Sequence, residues 1–182
     1  MSKGYAYLVG EPLGWRVTSD GVGSTGYTNS GLKKQGTYEQ RVQKAPARKF
    51  DLVVLQGGSN DEGAKASDLE QAVDATIHRA QQRYPTARIV LMGPVDPHGS
   101  GSSSRGAVNA VLTRYARAHS LPFVNPMGER WFKPQDAADL IGGPSSPAQG
   151  HPNNAGYARI AERFVEDIKR LSQPSTAALK TG

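Results

Sequence analysis

The chain has 182 residues, 37% of them hydrophobic, which is enough for one domain with a sizeable core. Lys and Arg total 22 against 16 Asp and Glu, a net charge of +6, but the basic residues are scattered and form no block typical of nucleic-acid binding. The absence of cysteine excludes disulfides and thiolate chemistry. The chain also has no apolar run of membrane-spanning length. We therefore expect neither a nucleic-acid partner nor a membrane span.

The N-terminal part of the chain combines short apolar runs with loop-forming sequence. The apolar run at residues 5–10 predicts a first strand, and residues 11–15 predict the turn that leaves it. Residues 19–36 are rich in Gly, Ser and Thr, which is typical of a loop. Thr37 is a suitable N-cap for a helix that continues through Lys44.

The clearest strand of the chain is residues 52–56, an uncharged and largely apolar run bounded by glycine. Such a run is typical of a parallel strand that is covered on both faces. Ser59, Asn60 and Asp61 stand just after it. Because ligands gather at the carboxyl ends of the strands of a parallel sheet, we expect this polar cluster to belong to a functional site.

The second half of the chain continues the alternation of helix and strand. Ser67 and Glu70 predict a capping box at the start of a helix that runs to Tyr84. The remaining predicted elements are a strand at 88–92, a flexible loop at 93–104, a helix at 105–119, a strand at 122–125, a short helix at 135–140, and a last helix led by 151–157 whose apolar stripe is Ile160, Ala161, Phe164 and Ile168.

This alternation predicts the α/β class. We expect a three-layer sandwich in which helices cover both faces of a parallel sheet of about five strands. The expected domain covers residues 1–171, and residues 172–182 are expected to form a disordered tail.

Three motifs together resemble those of the SGNH (GDSL-like) hydrolase family. They are Gly58-Ser-Asn-Asp61 after the buried strand, His151-Pro-Asn at the head of the last helix, and the turn after Gly10. The resemblance implies a flavodoxin-like fold and an esterase or acyl hydrolase that acts on O-acyl groups of a small-molecule ester, acyl or glycan ligand. It implies no cofactor, and the four histidines show no metal-site spacing.

The resemblance also implies roles for individual residues. In this family a serine after the first strand attacks the ester, a histidine is its base, and an aspartate three residues earlier orients that histidine. His151 matches the base, and the Asn60 side chain matches an oxyanion-hole donor. Gly36 lies in a segment similar to the family's second block and is our choice for the glycine whose amide completes the oxyanion hole.

Two positions depart from the family pattern. The usual Gly-Asp-Ser is Gly10-Glu11-Pro12 here, and proline has neither a hydroxyl nor an N–H. Ala148 occupies the position of the aspartate, so His151 loses the carboxylate that would orient it. We therefore predict a disabled serine mechanism, in an engineered active-site variant or a degenerate family member. A third interpretation places the true nucleophile elsewhere in the chain.

Two other functions stay open at this point. The chain can be a non-catalytic module that binds an acyl or glycan ligand. It can also be a redesigned catalyst in which Glu11 or His151 abstracts a proton, or in which Lys33 or Lys34 forms a Schiff base.

Residues around the expected cleft complete the sequence-based predictions. Ligand contacts are expected from Gly10, Pro12, Ser59, Asp96 and His98. Asp61 is predicted to hold loops together as a hydrogen-bond acceptor rather than to act in catalysis. We expect a monomer. The cellular compartment stays open, because the chain shows no secretory signal and would equally fit a trimmed secreted domain.

Overall fold

The computed structural model describes residues 4–143 and 149–173. Ala148 and most of the predicted tail lie outside the described residues, so the predictions for them have no structural counterpart. The last helix ends at Ser172, next to the predicted boundary after residue 171.

The sheet is parallel throughout its described strands. These are β1 (Leu52–Gln56), β2 (Arg88–Met92) and β3 (Phe123–Val124), in the order β1-β2-β3. Leu52 pairs with Arg88 at the start of the β1–β2 register. The α/β prediction is confirmed, but the described residues contain three strands instead of about five.

The predicted first strand is wrong. Tyr5–Leu8 forms helix α1 and Gly10–Leu13 forms helix α2, which ends at Gly14 in the left-handed region with φ of 65°. Val9 N donates to Tyr5 O at 3.3 Å, and both side chains pack against the same apolar core. An apolar run this short is compatible with a strand or with one helical turn. Here Tyr5 and Val9 contact the core, and their spacing is that of a helix.

Five further helices complete the described chain. Their bounds are α3 Tyr38–Lys44, α4 Ala66–Arg83, α5 Ser103–Ala118, α6 Ala137–Leu140 and α7 Asn154–Ser172, with short 3-10 turns at Ser59–Asp61 and Pro134–Asp136. The Thr37 cap of α3 is confirmed, and Gln40 closes its capping box. The Ser67 cap is wrong, because α4 starts at Ala66 after Lys65.

Helices cover both faces of the sheet, so the three-layer prediction is confirmed. On one face, α1, α6 and α7 enclose a core that includes Val90 and Met92. On the other face, α3, α4 and α5 enclose a core that includes Ile89 and Leu91. The predicted apolar stripe of α7 is buried in the first core.

No helix within the described residues is both long enough and apolar enough to cross a membrane.

Candidate active site

Two glycines shape the turn at the carboxyl end of β1. A Cβ on Gly57 would lie 2.2 Å from the Tyr38 hydroxyl oxygen, and one on Gly58 would lie 2.9 Å from Val108 Cγ1. Gly58 also has a φ of 113°, which a side chain disfavours. The turn leads directly into the Ser59–Asp61 3-10 segment, so the predicted polar cluster does stand at the sheet's carboxyl edge.

Asp61 is the anchor of this edge. Its side chain is buried and accepts hydrogen bonds from the backbone amides of Tyr27 at 3.1 Å and Thr28 at 2.7 Å, and from the Thr28 hydroxyl at 2.7 Å. Gly26 makes this approach possible, since a Cβ there would lie 2.5 Å from Asp61 Oδ2. These contacts favour the structural role that was predicted for Asp61.

Asn60 is exposed and its amide is held in one orientation. Its Nδ2 donates one hydrogen bond to the backbone oxygen of Thr25 at 2.9 Å, and the backbone oxygen of Asn60 separately accepts from Asn29 Nδ2 at 3.2 Å. An amide nitrogen carries two N–H groups, so one remains for an oxygen that arrives from outside. Fixed donors of this kind are the requirement of an oxyanion hole.

A cleft of about 300 Å³ opens beside this asparagine. Its walls come from the loop before α3 and from the segment that follows β1. The lining residues are Thr28, Asn29, Ser30, Asn60, Asp61, Glu62 and Ala64. Hydroxyl, amide and carboxylate groups dominate this set.

An ion-pair cluster supports one side of the cleft. Arg105 NH2 lies 2.7 Å from Glu62 Oε1, and Arg105 NH1 lies 3.3 Å from Asp96 Oδ1. Hydrogen bonds from Ser104, and then from Arg105, hold the pKa of the Glu62 carboxyl below its usual range, so it is ionised at neutral pH. Asp96, a predicted ligand contact, is buried and also accepts from Gly101 N at 2.8 Å.

The two tyrosines near Asp61 stay neutral. Burial raises the pKa of Tyr38 to about 12 and raises that of Tyr27 well above its usual value, and the charge of Asp61 adds to both shifts. Neither phenol can therefore serve as a general base near neutral pH.

His151 is placed by a docking motif at the start of α7. Its backbone oxygen accepts from Gly142 N at 2.9 Å, and Asn153 N donates to Leu140 O at 2.9 Å. Asn153 also caps α7 by accepting from Gly156 N at 3.0 Å. The imidazole is exposed, lies outside the walls of the cleft, and makes no hydrogen bond within residues 4–143 and 149–173.

Several predicted site residues do not meet at the cleft. Gly36 is buried and its N–H donates to Ser30 O at 3.1 Å, so its amide is not free to complete an oxyanion hole. Glu11 and Pro12 are exposed on α2, while Gly10 is buried at its start.

The other predicted residues are surface groups. His98 is exposed on the loop after β2, and Ser59 is half-buried beside the cleft without lining it. Lys33 and Lys34 are exposed and do not line the cleft.

The partners that hold Asn60 and Asp61 were not predicted from the sequence. Thr25, Gly26 and Thr28 lie in the glycine-rich loop, and Glu62 and Arg105 form the supporting ion pair. The glycine of Thr25-Gly26-Tyr27-Thr28 was a usable signal, because only glycine admits such close approach. The pairing of Glu62 with Arg105 had no local signal. Within the described residues, no group of three or more His, Asp or Glu side chains is arranged to hold a metal.

Comparison with protein families decides the lineage. The model of the GDSL-like Lipase/Acylhydrolase family matches residues 2–159. The chain belongs to the GDSL-like lipase/acylhydrolase family. This confirms the resemblance that the motifs indicated.

Individual relatives agree with this assignment. The GDSL-like chain is 30% identical over 158 residues to the GDSL lipase Rv0518 of Mycobacterium tuberculosis, in a match that covers 84% of this chain and 65% of that protein. The chain thus spans about two thirds of the length of this curated relative.

Solved structures support the same fold. A possible lipase from Chitinophaga pinensis superposes with a TM-score of 0.66 at 15% identity, covering 94% of this chain and 90% of that one. A putative GDSL-like lipase from Bacteroides ovatus gives 0.63 at 15% identity, covering 92% and 78%. At such identities the likeness concerns the fold alone.

Proposed function

We propose that the cleft beside Asn60 binds the acyl group of a small-molecule ester or an acylated glycan. The single observation that carries this proposal is the held Asn60 amide. The hydrogen bond from Asn60 Nδ2 to Thr25 O fixes the side-chain amide. The hydrogen bond from Thr28 N to Asp61 fixes the loop that contains Thr25. A carbonyl oxygen in the cleft would meet an N–H donor that needs no reorganisation.

The chemistry available at this donor is polarisation of an ester carbonyl. As the carbonyl is attacked, negative charge develops on its oxygen, and the second Asn60 N–H stabilises that charge. His151 is our candidate for the group that would take a proton from the attacking hydroxyl. Both roles are carried over from the family.

We further propose that this chain does not run the serine mechanism efficiently. The His151 imidazole makes no hydrogen bond to any hydroxyl or carboxylate of the described residues, whereas an acting base needs its nucleophile within reach. The sequence argument from Ala148 adds to this. Pro12 supports the proposal less, because the segment before it is helical and not the expected strand.

Turnover of p-nitrophenyl acetate tests the proposal. We expect a slow rate that His151→Ala leaves nearly unchanged, because the histidine lacks a positioned nucleophile. His98→Ala is the matched control, since that histidine is also exposed but stands on another loop. Rapid turnover that depends on His151, with a trapped acyl-enzyme, would contradict the disabled mechanism.

Reversion tests the substitutions at residues 11, 12 and 148 together. The triple variant Glu11→Asp, Pro12→Ser, Ala148→Asp introduces the residues that the motif resemblance implies at these three positions. Because residue 12 lies in α2 and not after a strand, we expect no gain in esterase rate. A gain that disappears in the Asn60→Ala background would instead support the original assignment of Pro12.

A binding module for an acylated glycan is the second candidate. Hydroxyl and amide side chains line the cleft at Thr28, Asn29, Ser30 and Asn60, and such groups suit sugar hydroxyls. If the chain is such a binding module, calorimetric titration with an acetylated xylo-oligosaccharide should give a saturable heat of binding, and no acetate should be released. Acetate release at a steady rate would favour the hydrolase.

A further inference from the structure

A second cavity, of about 210 Å³, lies between α3 and α4. In the part of the chain that the structure describes, its lining residues are Gln43 of α3 and Arg79, Gln82 and Arg83 of α4. None of them lines the cleft beside Asn60. All four side chains carry N–H donors, and none is a carboxylate. A wall of this composition favours an anion.

Arg79 is held by two side chains and keeps one terminal nitrogen for a ligand. Its Nε donates to Glu39 Oε1 at 3.0 Å, and its Nη1 donates to Gln82 Oε1 at 3.1 Å. Its Nη2 makes no hydrogen bond to any residue that the structure describes. Because two bonds fix the plane of the guanidinium, its remaining N–H groups are already oriented, which lowers the entropic cost of binding.

Arg83 stands one turn later on α4 and is held by the end of α3. Its Nε donates to Ala45 O at 3.0 Å, and its Nη2 donates to the same oxygen. Within residues 4–143 and 149–173, Nη1 has no hydrogen-bond partner and the guanidinium has no carboxylate partner. The side chain is half-buried, so a charge that is screened only in part remains for a ligand.

The two glutamines add neutral donors to the same wall. Gln82 accepts from Arg79 through Oε1, which leaves its amide nitrogen to donate. Gln43 is exposed, and its side chain makes no hydrogen bond with the described part of the chain. Two guanidinium groups and two amides therefore face one cavity, each with N–H groups to spare.

Cations dominate the charges around this cavity. Residues 40–50 contain four basic residues and no Asp or Glu, and three of the basic residues, Lys44, Arg48 and Lys49, are exposed. The carboxylate of Glu39 contacts the lining set and offsets one of its two guanidinium charges. The resulting positive field draws anions toward the cavity and weakens as salt is added.

A phosphate group fits these donors better than a carboxylate does. It presents three terminal oxygens and up to two charges to donors that come from four side chains, whereas a carboxylate presents two oxygens and one charge. A soluble source is favoured over a lipid headgroup. The large hydrophobic side chains that are exposed among the described residues, Tyr7, Leu8, Trp15 and Leu32, do not line the cavity, so nothing there would enter a lipid layer.

We propose that the cavity between α3 and α4 binds the phosphate group of a soluble phosphate monoester. Arg79 Nη2 and Arg83 Nη1 donate charged hydrogen bonds to it, and the amides of Gln43 and Gln82 complete the set. Since the bound group joins α3 to α4, it also stabilises this helix pair. The proposal is independent of the proposed function, because the two sites share no lining residue.

An NMR titration of the full chain with sodium phosphate tests the proposal. The side-chain Nε–Hε signals of Arg79 and Arg83 report on the cavity directly. We expect both to shift saturably with phosphate and to stay in place with sodium chloride at the same ionic strength. Equal shifts in the two salts, or shifts with phosphate that do not saturate, would overturn the proposal.

A charge placed in the wall separates a built site from general attraction to a basic chain. Gln43→Glu adds a carboxylate to the cavity and removes no hydrogen bond of the described fold, so we expect about tenfold weaker phosphate binding. Gln71→Glu makes the same change of net charge at an exposed position of α4 outside the cavity, and its affinity should stay within about twofold of the parent. Equal weakening in the two variants would contradict a specific site.

Arginine variants test the donors themselves. Arg79→Gln and Arg83→Gln should each bind phosphate about tenfold more weakly. Since both arginines also hold α3 against α4, melts without phosphate establish that each variant is folded. Arg114→Gln is the matched control, because this exposed arginine pairs with Glu70 and does not line the cavity. If folded Arg79→Gln bound phosphate as tightly as Arg114→Gln, the assignment would fail.

Two phosphate esters separate a soluble ligand from a lipid. Phenyl phosphate should bind at least as tightly as inorganic phosphate, and Gln43→Glu should weaken it equally. Vesicles of phosphatidylcholine with phosphatidic acid should leave the chain in solution in a flotation assay. Co-flotation that Gln43→Glu abolishes would identify a lipid headgroup and would refute the soluble ester.

Discussion

At the scale of single residues, Asp61 organises the candidate site. One carboxylate accepts from two backbone amides and one hydroxyl, and it does so without a cationic partner among these bonds. A buried carboxylate is tolerated when its oxygens are fully hydrogen-bonded. The loop that positions Asn60 therefore depends on the hydrogen bonds of a single buried carboxylate.

Asp61→Asn should destabilise the chain by about 2–3 kcal/mol. The variant keeps the shape of the side chain but directs an NH2 group at a backbone N–H, so a buried donor loses its acceptor. Urea unfolding measures the change. Asp68→Asn, on the exposed side of α4, is the control and should stay within about 0.5 kcal/mol of the parent. Equal stability of the two variants would refute the anchoring role.

Gly26→Ala should be similarly disruptive. Its Cβ would lie 2.5 Å from the Asp61 carboxylate, which cannot withdraw without losing its amide partners. We expect a loss of about 2 kcal/mol or more in unfolding free energy. Gly23→Ala is the matched control, because a Cβ there meets nothing within 4 Å. A stable Gly26→Ala would mean that the loop and Asp61 move apart easily.

Asp167 makes stability depend on pH. Burial, and then the charge of Glu129, raise the pKa of its carboxyl to about 6 from a usual 3.8. The folded chain therefore holds this proton more tightly than the unfolded chain. The resulting stabilisation is present below about pH 4 and is lost as pH rises through 6.

Asp167→Asn should remove this pH dependence. Above pH 6 the variant should be more stable than the parent, by on the order of 1–3 kcal/mol, and the advantage should disappear near pH 4. Thermal melts across pH 4–8 measure it. Glu166→Gln, an exposed neighbour on α7, controls for the change in net charge. A constant difference at all pH values would exclude the titration of Asp167 as the cause.

At the scale of elements, the head of α7 determines where His151 stands. A Cβ on Gly156 would lie 2.3 Å from Leu140 O, so only glycine lets the first turn of α7 dock on the end of α6. The same docking aligns Asn153 with Leu140 and His151 with Gly142. These contacts at the start of α7 fix the backbone position of His151 and therefore where its imidazole begins.

Gly156→Ala should lower the melting temperature and shift the His151 imidazole signals in NMR, because the first turn of α7 must separate from Leu140. Gly106→Ala in α5 is the matched helical control. A Cβ there meets nothing within 4 Å, so the change should stabilise the chain by about 0.5–1 kcal/mol. Unchanged His151 signals in Gly156→Ala would show that the docking does not position the histidine.

Elements that carry a strong local signal were predictable from sequence. The strand Leu52–Gln56 and the capped helix Tyr38–Lys44 appear as expected. Tyr5–Leu8 is helical and not the predicted strand, because so few apolar residues fit helical and strand spacing equally well until the core is known. Contacts between loops, such as that of Thr25 with Asn60, leave no local pattern in the sequence, so they can be identified only from the folded structure.

At the scale of the whole molecule, the two cores share one sheet. Leu91 faces the core of α4 and α5, and Met92 faces the core of α7, from adjacent positions of β2. Loss of either core exposes the strand that supports the other. Both are therefore expected to unfold in a single cooperative step.

Leu91→Ala and Met92→Ala should each lower the midpoint of the same transition. Both side chains are fully buried, and truncation should cost about 2–5 kcal/mol in each case. Far-ultraviolet and near-ultraviolet dichroism should give coincident curves. Two separated transitions, with each variant shifting only one, would show that the predicted single domain is in fact two folding units.

The Arg105 ion pairs connect the segment after β1 to the loop after β2. The Arg105 guanidinium contacts Glu62 in one segment and Asp96 in the other. Insertions or deletions between Asp96 and Arg105 would therefore move Glu62, which lines the cleft, and leave the Asn60 amide in place. Changes in the length of this loop could therefore alter which ligands fit the cleft without changing the Asn60 N–H that would bind them.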